Sequence, residues 1–377
     1  MGRTSDKKRI LITTMHRGNN FGSALQTYAL SEILKGLNNI PIILDYIPKR
    51  INITDNILSC IKKIFNANSF KDKYNSIRAI AILISNQIIY NHFFSKHINL
   101  TKSFKSYNSI VTDQSVLKNI DVYMTGSDQV WNSSHNQGID YVYFLNFAPD
   151  SKPRISYAAS FGKEKLDDWE IPETRSLLKR YNAISVRERS AVDILHNIGL
   201  NGTHVLDPTL LLSKEEWIKR IPSIKGKEKY LLIYSVEPNK TQLIRLAKQI
   251  ARILNLKIYM VEWGIKKYDG IDKMLSFISP LKLLSYFVNA DFIIASSFHG
   301  TALSINFHKQ FISIQPNKFN TRVKSILEVT GLTERLMDIC SFSIEKATAF
   351  IDYSPVNSIL NNERNKSLSF LKLHTSK

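Results

Sequence analysis

The chain has 377 residues, 44% of them hydrophobic and 22% charged, a composition of a soluble globular protein with core enough for about two domains. Its net charge is +19, and the excess is uneven, with 16 Lys/Arg against 5 Asp/Glu through residue 110. Such a charge suits an anionic small substrate or anionic lipid headgroups, or serves solubility alone; with no arginine-rich run, zinc spacing or recognition-helix pattern, nucleic acid is excluded as a partner.

In chain order, Lys8 to Met15 reads as a buried strand, "HRGNNFGS" as a loop, and "ALQTYALSEILKGL" as a helix with Leu25, Tyr28, Ala29 and Ile33 on one face. "IPIILDYI" is the next strand, completing a βαβ unit with a glycine-containing loop after its first strand. "ILITTM" near the start is too short for a signal segment. Residues 50–112 read as a basic helical insertion. Its apolar run from Ile77 is broken by Ser85, Asn86 and Gln87 and falls short of the ~20 apolar residues of a spanning helix. It is expected to pack on the core, while Lys71, Lys73, Arg78 and Lys96 leave a membrane-surface helix as the other reading. Cys60 and Cys340 form neither a metal motif nor a disulfide framework, which suits a reducing cytoplasm. Contact with the inner face of the cell membrane is the further placement that the basic first third allows.

"IDVYMTGSDQVW" resumes the sheet, and "RISYAASFG", "AISVRERS" and "THVLDPTLL" follow as strand-to-loop units separated by helices. "SKEEWIKRIPSIKGKEK" reads as a linker. A second alternation then runs through "YLLIYSV", "KTQLIRLAKQIARIL", "KIYMVEW", "PLKLLSYFVNA", "DFIIASS" and "FISIQ". The expected fold is α/β, with two Rossmann-like doubly wound domains at 1–215 and 216–377, the C-terminal helices free to pack back on the first. In such sheets ligands bind outside the carboxyl ends of the strands, so the expected site is the cleft between the domains.

The candidate chemistry falls at those strand ends. "SSFHGTALS" sets His299 where a strand becomes a helix, with Ser296, Ser297 and Thr301 as donors and Gly300 giving an anion access to the backbone. The plain alternative is that Ser297 caps the helix and His299 is an ordinary surface residue. Arg187 in "SVRERS" can grip a carboxylate or phosphate, or pair with a neighbouring glutamate. Asp128 in "TGSDQVW" can act as a base or form an Asx turn, and Asn19 and Asn20 can bind sugar hydroxyls or turn the chain. Asp207-Pro208 reads as a structural turn, and His16 and His308 as packing or surface residues. Arg322 sits in a first helical turn, where the helix dipole disfavours a cation, so an anionic partner is indicated. No dinucleotide fingerprint, P-loop, metal-protease or serine-hydrolase motif is present.

Six motifs in order, "NNFGSALQTYAL", "GSDQVWN", "SYAASFG", "SVRERS", "DPTLLL" and "SSFHGTALSINF", resemble the polysaccharide pyruvyl transferase family over roughly residues 10 to 330. The resemblance implies a GT-B-like fold. It also implies transfer of pyruvate from phosphoenolpyruvate to two hydroxyls of a glycan sugar, free or lipid-linked, giving a ketal and phosphate without a metal or other cofactor. By the same resemblance, Arg187 and His299 match residues linked to phosphoenolpyruvate, and Ser23 stands where small residues are usual. His299 is then expected to contact phosphate and act as acid, Arg187 to hold the donor, and Asp128 to act as base. The rival is a GT-B glycosyltransferase with a nucleotide-sugar donor.

Overall fold

The structure is a computed structural model and describes residues 7–67, 69–224, 226, 228–237, 240–315, 321–341 and 343–376. Its strands are β1 (Arg9–Thr13), β2 (Ile40–Ile43), β3 (Val122–Thr125), β4 (Arg154–Ser156), β5 (Ser185–Val186), β6 (Thr203–His204), β7 (Tyr230–Tyr234), β8 (Lys257–Val261), β9 (Lys273–Leu275), β10 (Phe292–Ala295), β11 (Gln310–Ile314) and β12 (Leu336–Met337). Every pairing between them is parallel. Parallel sheets need crossovers and are covered on both faces, which is why their strands are near-continuous apolar runs.

The first sheet has the order β2-β1-β3-β4, and single bridges from Ile155 to Ala183 and from Ala159 to Val186 extend it to the β5-β6 pair. The second sheet runs β9-β8-β7-β10-β11-β12. This is a doubly wound order that reverses between β7 and β10, and the first sheet reverses between β1 and β3. At each reversal the crossovers leave in opposite directions, and a crevice opens at the strands' carboxyl ends.

Alternation along the strands assigns each residue to a layer. Ile10 and Ile12 of β1, with Leu232 and Tyr234 of β7, enter one large core that joins the two sheets. Leu11 lies in a core on the far side of the first sheet, and Leu231 and Ile233 in a core beyond the second.

Two expectations need correction. The stretch read as a linker starts with a helix, Lys214–Ile218, capped by Ser213 and anchored by the fully buried Trp217. Its indole donates to the Thr209 carbonyl at 3.0 Å. Lys225 and Lys227 of that stretch lie outside the described residues. The 50–112 segment is helical, chiefly Ile53–Phe65 and Phe70–His97, but the apolar run from Ile77 does not simply pack on the core. Tyr90, Phe93 and Phe94 enter the core, whereas Ile77, Ile84 and Ile88 face solvent. No described helix is long and apolar enough to cross a membrane.

The C-terminal Tyr353–Thr375 helix lies against the end of the first half of the chain. Ser367 Oγ accepts from the Leu206 amide at 2.9 Å, and Arg364 donates to the Leu210 carbonyl and to Asn306 Oδ1, both at 2.7 Å. Asn306, itself fully buried, donates to the carbonyls of Thr209 and Leu212 at 2.9 Å each. Replacing it with an apolar residue of similar size takes this donor from the Leu212 carbonyl, leaves the Thr209 carbonyl to the Trp217 indole alone, and takes the Oδ1 acceptor from Arg364. Asn306→Leu is therefore expected to lose about 2–4 kcal/mol in urea unfolding.

Candidate functional site

The site grows from the two crevices, which face each other. At the end of β3 the chain turns sharply through Gly126, Ser127 and Asp128. A Cβ on Gly126 would lie 3.0 Å from the Thr14 side chain, so a larger residue there would have to push the neighbouring strand end aside by a few tenths of an ångström. Asp128 has φ 82, a left-handed conformation costly for a non-glycine residue. Its carbonyl is fixed by the Val130 and Ser160 amides at 2.8 and 3.0 Å. Its carboxylate accepts from the Ser23 hydroxyl at 2.6 Å and from the Gln129 amide at 2.9 Å.

Ser23 lies in the first turn of the Phe21–Gly36 helix, which Asn20 caps by accepting from the Ser23 amide at 3.1 Å. "NNFGS" is thus a helix start aimed at the cleft. Asn20 and Ser23 line the cavity there. Asn19 is turned away, with its carbonyl accepting from the Trp263 indole at 3.1 Å, a tie between the two halves of the chain.

On the other side, β10 runs into the Phe298–Asn306 helix, which Ser297 caps through its hydroxyl to the Gly300 amide at 3.2 Å. A Cβ on Gly300 would lie 2.7 Å from the Tyr234 ring and 2.9 Å from the Ala295 Cβ. Glycine there lets the helix lie close on the strand ends, a packing need that the sequence did not show. Thr301 is also a packing residue: it is fully buried, its hydroxyl engaged with the Ser297 carbonyl at 3.0 Å and Ser313 Oγ at 2.5 Å.

His299 projects from this helix across the cleft until its ring lies on Gly22 of the opposite helix start. A Cβ on Gly22 would fall 2.1 Å from Nδ1. Nε2 has no hydrogen-bond partner and lies 3.8 Å from Asp207 Oδ2.

Asp207, read from sequence as a turn residue, is the buried hub. One oxygen caps the short Pro208–Leu211 helix, accepting from the Thr209 amide and hydroxyl at 2.9 and 2.7 Å. The other accepts from Ser127 Oγ at 2.8 Å and from Arg187 Nη1 at 3.2 Å. Burial pushes its carboxyl up, but His299, Arg187 and the Thr209 hydroxyl outweigh this and hold it well below the usual range.

Arg187 differs from its expected place. Its guanidinium is buried behind the cavity wall, under the Phe298 ring at 4.3 Å. It pairs with Glu188 at 2.9 Å and Asp207 at 3.2 Å and approaches Asp128 at 3.8 Å. It is an internal counter-charge: burial alone would raise the Asp128 carboxyl, and the Arg187 charge is the main influence that brings it below its ordinary value.

The cavity between the two helix starts measures about 340 Å³, within the ~300–1,000 Å³ usual for small-molecule sites. Its wall includes Asn20, Ser23, Asp128, Ser297, His299 and two arginines, Arg50 and Arg322. Among the described residues neither arginine is ion-paired, and the buried Nε of each has no hydrogen-bond partner. Burial and the charge of Arg187 lower Arg322 to about 10. Arg17, also in the wall, is already spent on a two-bond pair with Asp45, at 2.7 Å each.

His135 stands at the rim with its side chain exposed, and partial desolvation by the surrounding chain and the Arg50 charge push its imidazole below the usual range. A second cavity of about 450 Å³ adjoins the first across Arg17, Gly18, Arg50 and Ile51. Its wall is rich in amides, Asn19, Asn52, Asn56, Asn86 and Gln87, and includes Trp263.

Of the ten residues singled out in sequence, six line the first cavity: His299, Asp128, Ser297, Asn20, Ser23 and Arg322. Arg187, Gly300 and Thr301 stand behind it, and Asn19 lines the second. Arg50, His135 and Asp207 were missed. Gly22→Ala is expected to displace His299, lowering turnover with the cavity otherwise intact and costing about 1–3 kcal/mol in thermal unfolding. Because Asp207 is depressed in the folded state, its contribution is full above the unfolded carboxyl pKa of ~3.9 and is lost as pH falls towards the lower folded value. The stability gap between the wild type and Asp207→Asn should therefore be widest near neutrality and narrow below about pH 4, measured by urea unfolding across pH.

No curated protein matches the chain in sequence. Among solved structures, the UDP-GlcNAc 2-epimerase of Methanocaldococcus jannaschii in complex with UDP-GlcNAc and UDP aligns with a TM-score of 0.51 at 12% identity, covering 98% of this chain and 100% of that one. The glycosyltransferase SnogD from Streptomyces nogalater aligns at 0.45 and 9% identity, covering 97% of this chain and 96% of that one. At 12% identity the likeness to the epimerase is one of fold, and with its two parallel sheets the fold is GT-B-like, two Rossmann-like halves across a cleft. A sequence model of the polysaccharide pyruvyl transferases matches residues 20–317. That span runs from the capping Asn20 through Asp128, Arg187 and Asp207 to the helix that carries His299, and the chain belongs to the polysaccharide pyruvyl transferase family.

Proposed function

We propose that the first cavity binds phosphoenolpyruvate and that the protein transfers its pyruvyl group to two hydroxyls of a glycan sugar held in the second. The observation that carries this reading is the pair of guanidinium groups without carboxylate partners, Arg50 from one side and Arg322 from the other, beside His299 at a helix N-terminus. Phosphoenolpyruvate carries a carboxylate and a phosphate on adjacent groups. Two separated cations and the unpaired amides of a helix start match that charge distribution. Arg187, expected to grip the donor, lies behind the wall, where it pairs with Asp207 and its charge lowers the Asp128 carboxyl in the wall itself.

The chemistry begins with a proton from His299 to the methylene carbon of the donor, which becomes a methyl group while positive charge develops at the neighbouring carbon. The first sugar hydroxyl attacks that carbon and gives up its proton. The carbon–oxygen bond to phosphate then breaks, and the second hydroxyl attacks and loses its proton to close the ketal. Of the two hydroxyl protons, one replaces that spent on the methyl group and one leaves on phosphate.

His135 is the better proton acceptor for the hydroxyls, since its lowered pKa keeps it neutral at neutral pH. Asp128 is less basic than an ordinary carboxylate, and both its oxygens are already engaged by Ser23 and Gln129. Its part is to hold Ser23 at the cavity wall.

The test is to incubate the purified protein with phosphoenolpyruvate and bacterial surface glycans, following phosphate release and the added pyruvyl mass. Nucleotide release from nucleotide sugars, with none of phosphate from phosphoenolpyruvate, would overturn the reading in favour of a glycosyltransferase. Calorimetric titration with phosphoenolpyruvate needs no acceptor. There Arg322→Ala is expected to weaken binding about 10–100-fold, the value of one charge-assisted contact of ~1.5–3 kcal/mol. His299→Gln should bind the donor and lower turnover by ~10²–10⁴-fold.

A further inference from the structure

The helices Ile53–Phe65 and Phe70–His97 form a hairpin that is anchored at one end only. Near its base, Tyr90, Phe93 and Phe94 enter the core, Asn86 donates to the Trp263 carbonyl at 2.8 Å, and Asn91 accepts from Arg17 at 2.7 Å. Towards its turn the apolar residues face solvent. Phe65 and Phe70, on either side of the turn, are 82% and 87% exposed.

In the longer helix the exposed large apolar residues are Phe70, Tyr74, Ile77, Ile84 and Ile88. With the exposed Ala81 they repeat in alternating steps of four and three. The result is one seam about 27 Å long, at ~1.5 Å per residue. Leu58, Ile61 and Phe65 repeat the spacing on the shorter helix. Evenly spaced apolar residues exposed over this length mark an interaction surface.

The charges beside the seam decide what meets it. Between residues 53 and 97 there are six Lys/Arg against two Asp/Glu, and Asp72 is spent within its own helix start on Ser69. The positions that flank the seam are Lys71, Lys73, Arg78, Ile80, Ser85 and Gln87. A heptad seam can pair with a second copy of itself, but such pairs are steered by opposite charges at the flanking positions. Here no flanking carboxylate exists to meet the cations, and in a parallel pair Lys73 would face Arg78. Apolar side chains bordered by cations alone complement a surface that is greasy within and anionic at its boundary.

We propose that this hairpin docks the protein on an anionic lipid surface, with Phe65 and Phe70 entering the headgroup boundary and Lys62, Lys63, Lys71, Lys73 and Arg78 meeting the phosphates. From its other side the longer helix lines the second cavity with Ile82, Leu83, Asn86 and Gln87. A docked hairpin would therefore hold that cavity near the lipid surface.

Flotation with phosphatidylcholine vesicles, with and without phosphatidylglycerol, tests the docking whatever the reaction proves to be. Wild-type protein is expected to float with the anionic vesicles only and to be released by high salt, as a screened attraction requires. Phe65→Ser/Phe70→Ser should cut the bound fraction about tenfold with its melting temperature unchanged, since both side chains are exposed. Lys71→Glu/Lys73→Glu should abolish the preference for phosphatidylglycerol. Absence of flotation, equal binding by wild type and the serine variant, or a solution dimer that the serine variant dissolves would each overturn the proposal. The last result would assign the seam to a second copy of the chain.

Discussion

A carboxylate taken out of water is costly unless it is paired and fully hydrogen-bonded, and Asp207 meets both conditions at the centre of this protein. One oxygen starts a helix, while the other joins Ser127 after β3, Arg187 after β5 and, at 3.8 Å, His299 after β10. Three strand ends from two sheets are thereby drawn to one atom. Arg187 brings Glu188 and Asp128 into the same network. The cluster is strongly charged and almost wholly internal, so it sets the electrostatics of the cavity without occupying it. Against that background of ionised carboxylates, Arg50 and Arg322 remain without ion-pair partners among the described residues.

The location follows from winding. Each sheet reverses its order once, between β1 and β3 in the first and between β7 and β10 in the second. The loops at those reversals hold Asp128 on one side and His299 on the other. Two helix starts, capped by Asn20 and Ser297, meet there so closely that the His299 ring occupies the space where a Gly22 side chain would stand. The contact fixes the imidazole by shape where hydrogen bonding does not, since Nε2 has no partner.

Much of this was legible in the chain. Buried parallel strands are unbroken apolar runs, so the α/β alternation and the His299 helix start could be read directly. Arg322 announced itself as a cation in the wrong turn of a helix. What escaped was the part carried by long-range contacts. Asp207 looked like a turn residue because one of its oxygens does cap a local helix; nothing nearby in sequence reveals where the second points. Arg187 pairs with the adjacent Glu188, the alternative the sequence left open, but also with Asp207, twenty residues on, which nothing local announces. Arg50 and His135 lie in a basic insertion and a four-residue helix, stretches whose patterns identify no strand end, and only tertiary packing brings them to the cavity. The Lys214–Ile218 helix was mistaken for a linker because its single apolar anchor, Trp217, is surrounded by charges and followed by Pro222 and Gly226.

Arg50 immediately precedes the hairpin, and Ile51 beside it belongs to both cavities. The segment that departs most from a plain doubly wound sheet therefore supplies a cation to one chamber and much of the wall of the other. Excising it would not yield a trimmed enzyme with a wider mouth. It would take Arg50 from the first cavity together with much of the wall of the second, so the appendage and the two chambers stand or fall as one structural unit.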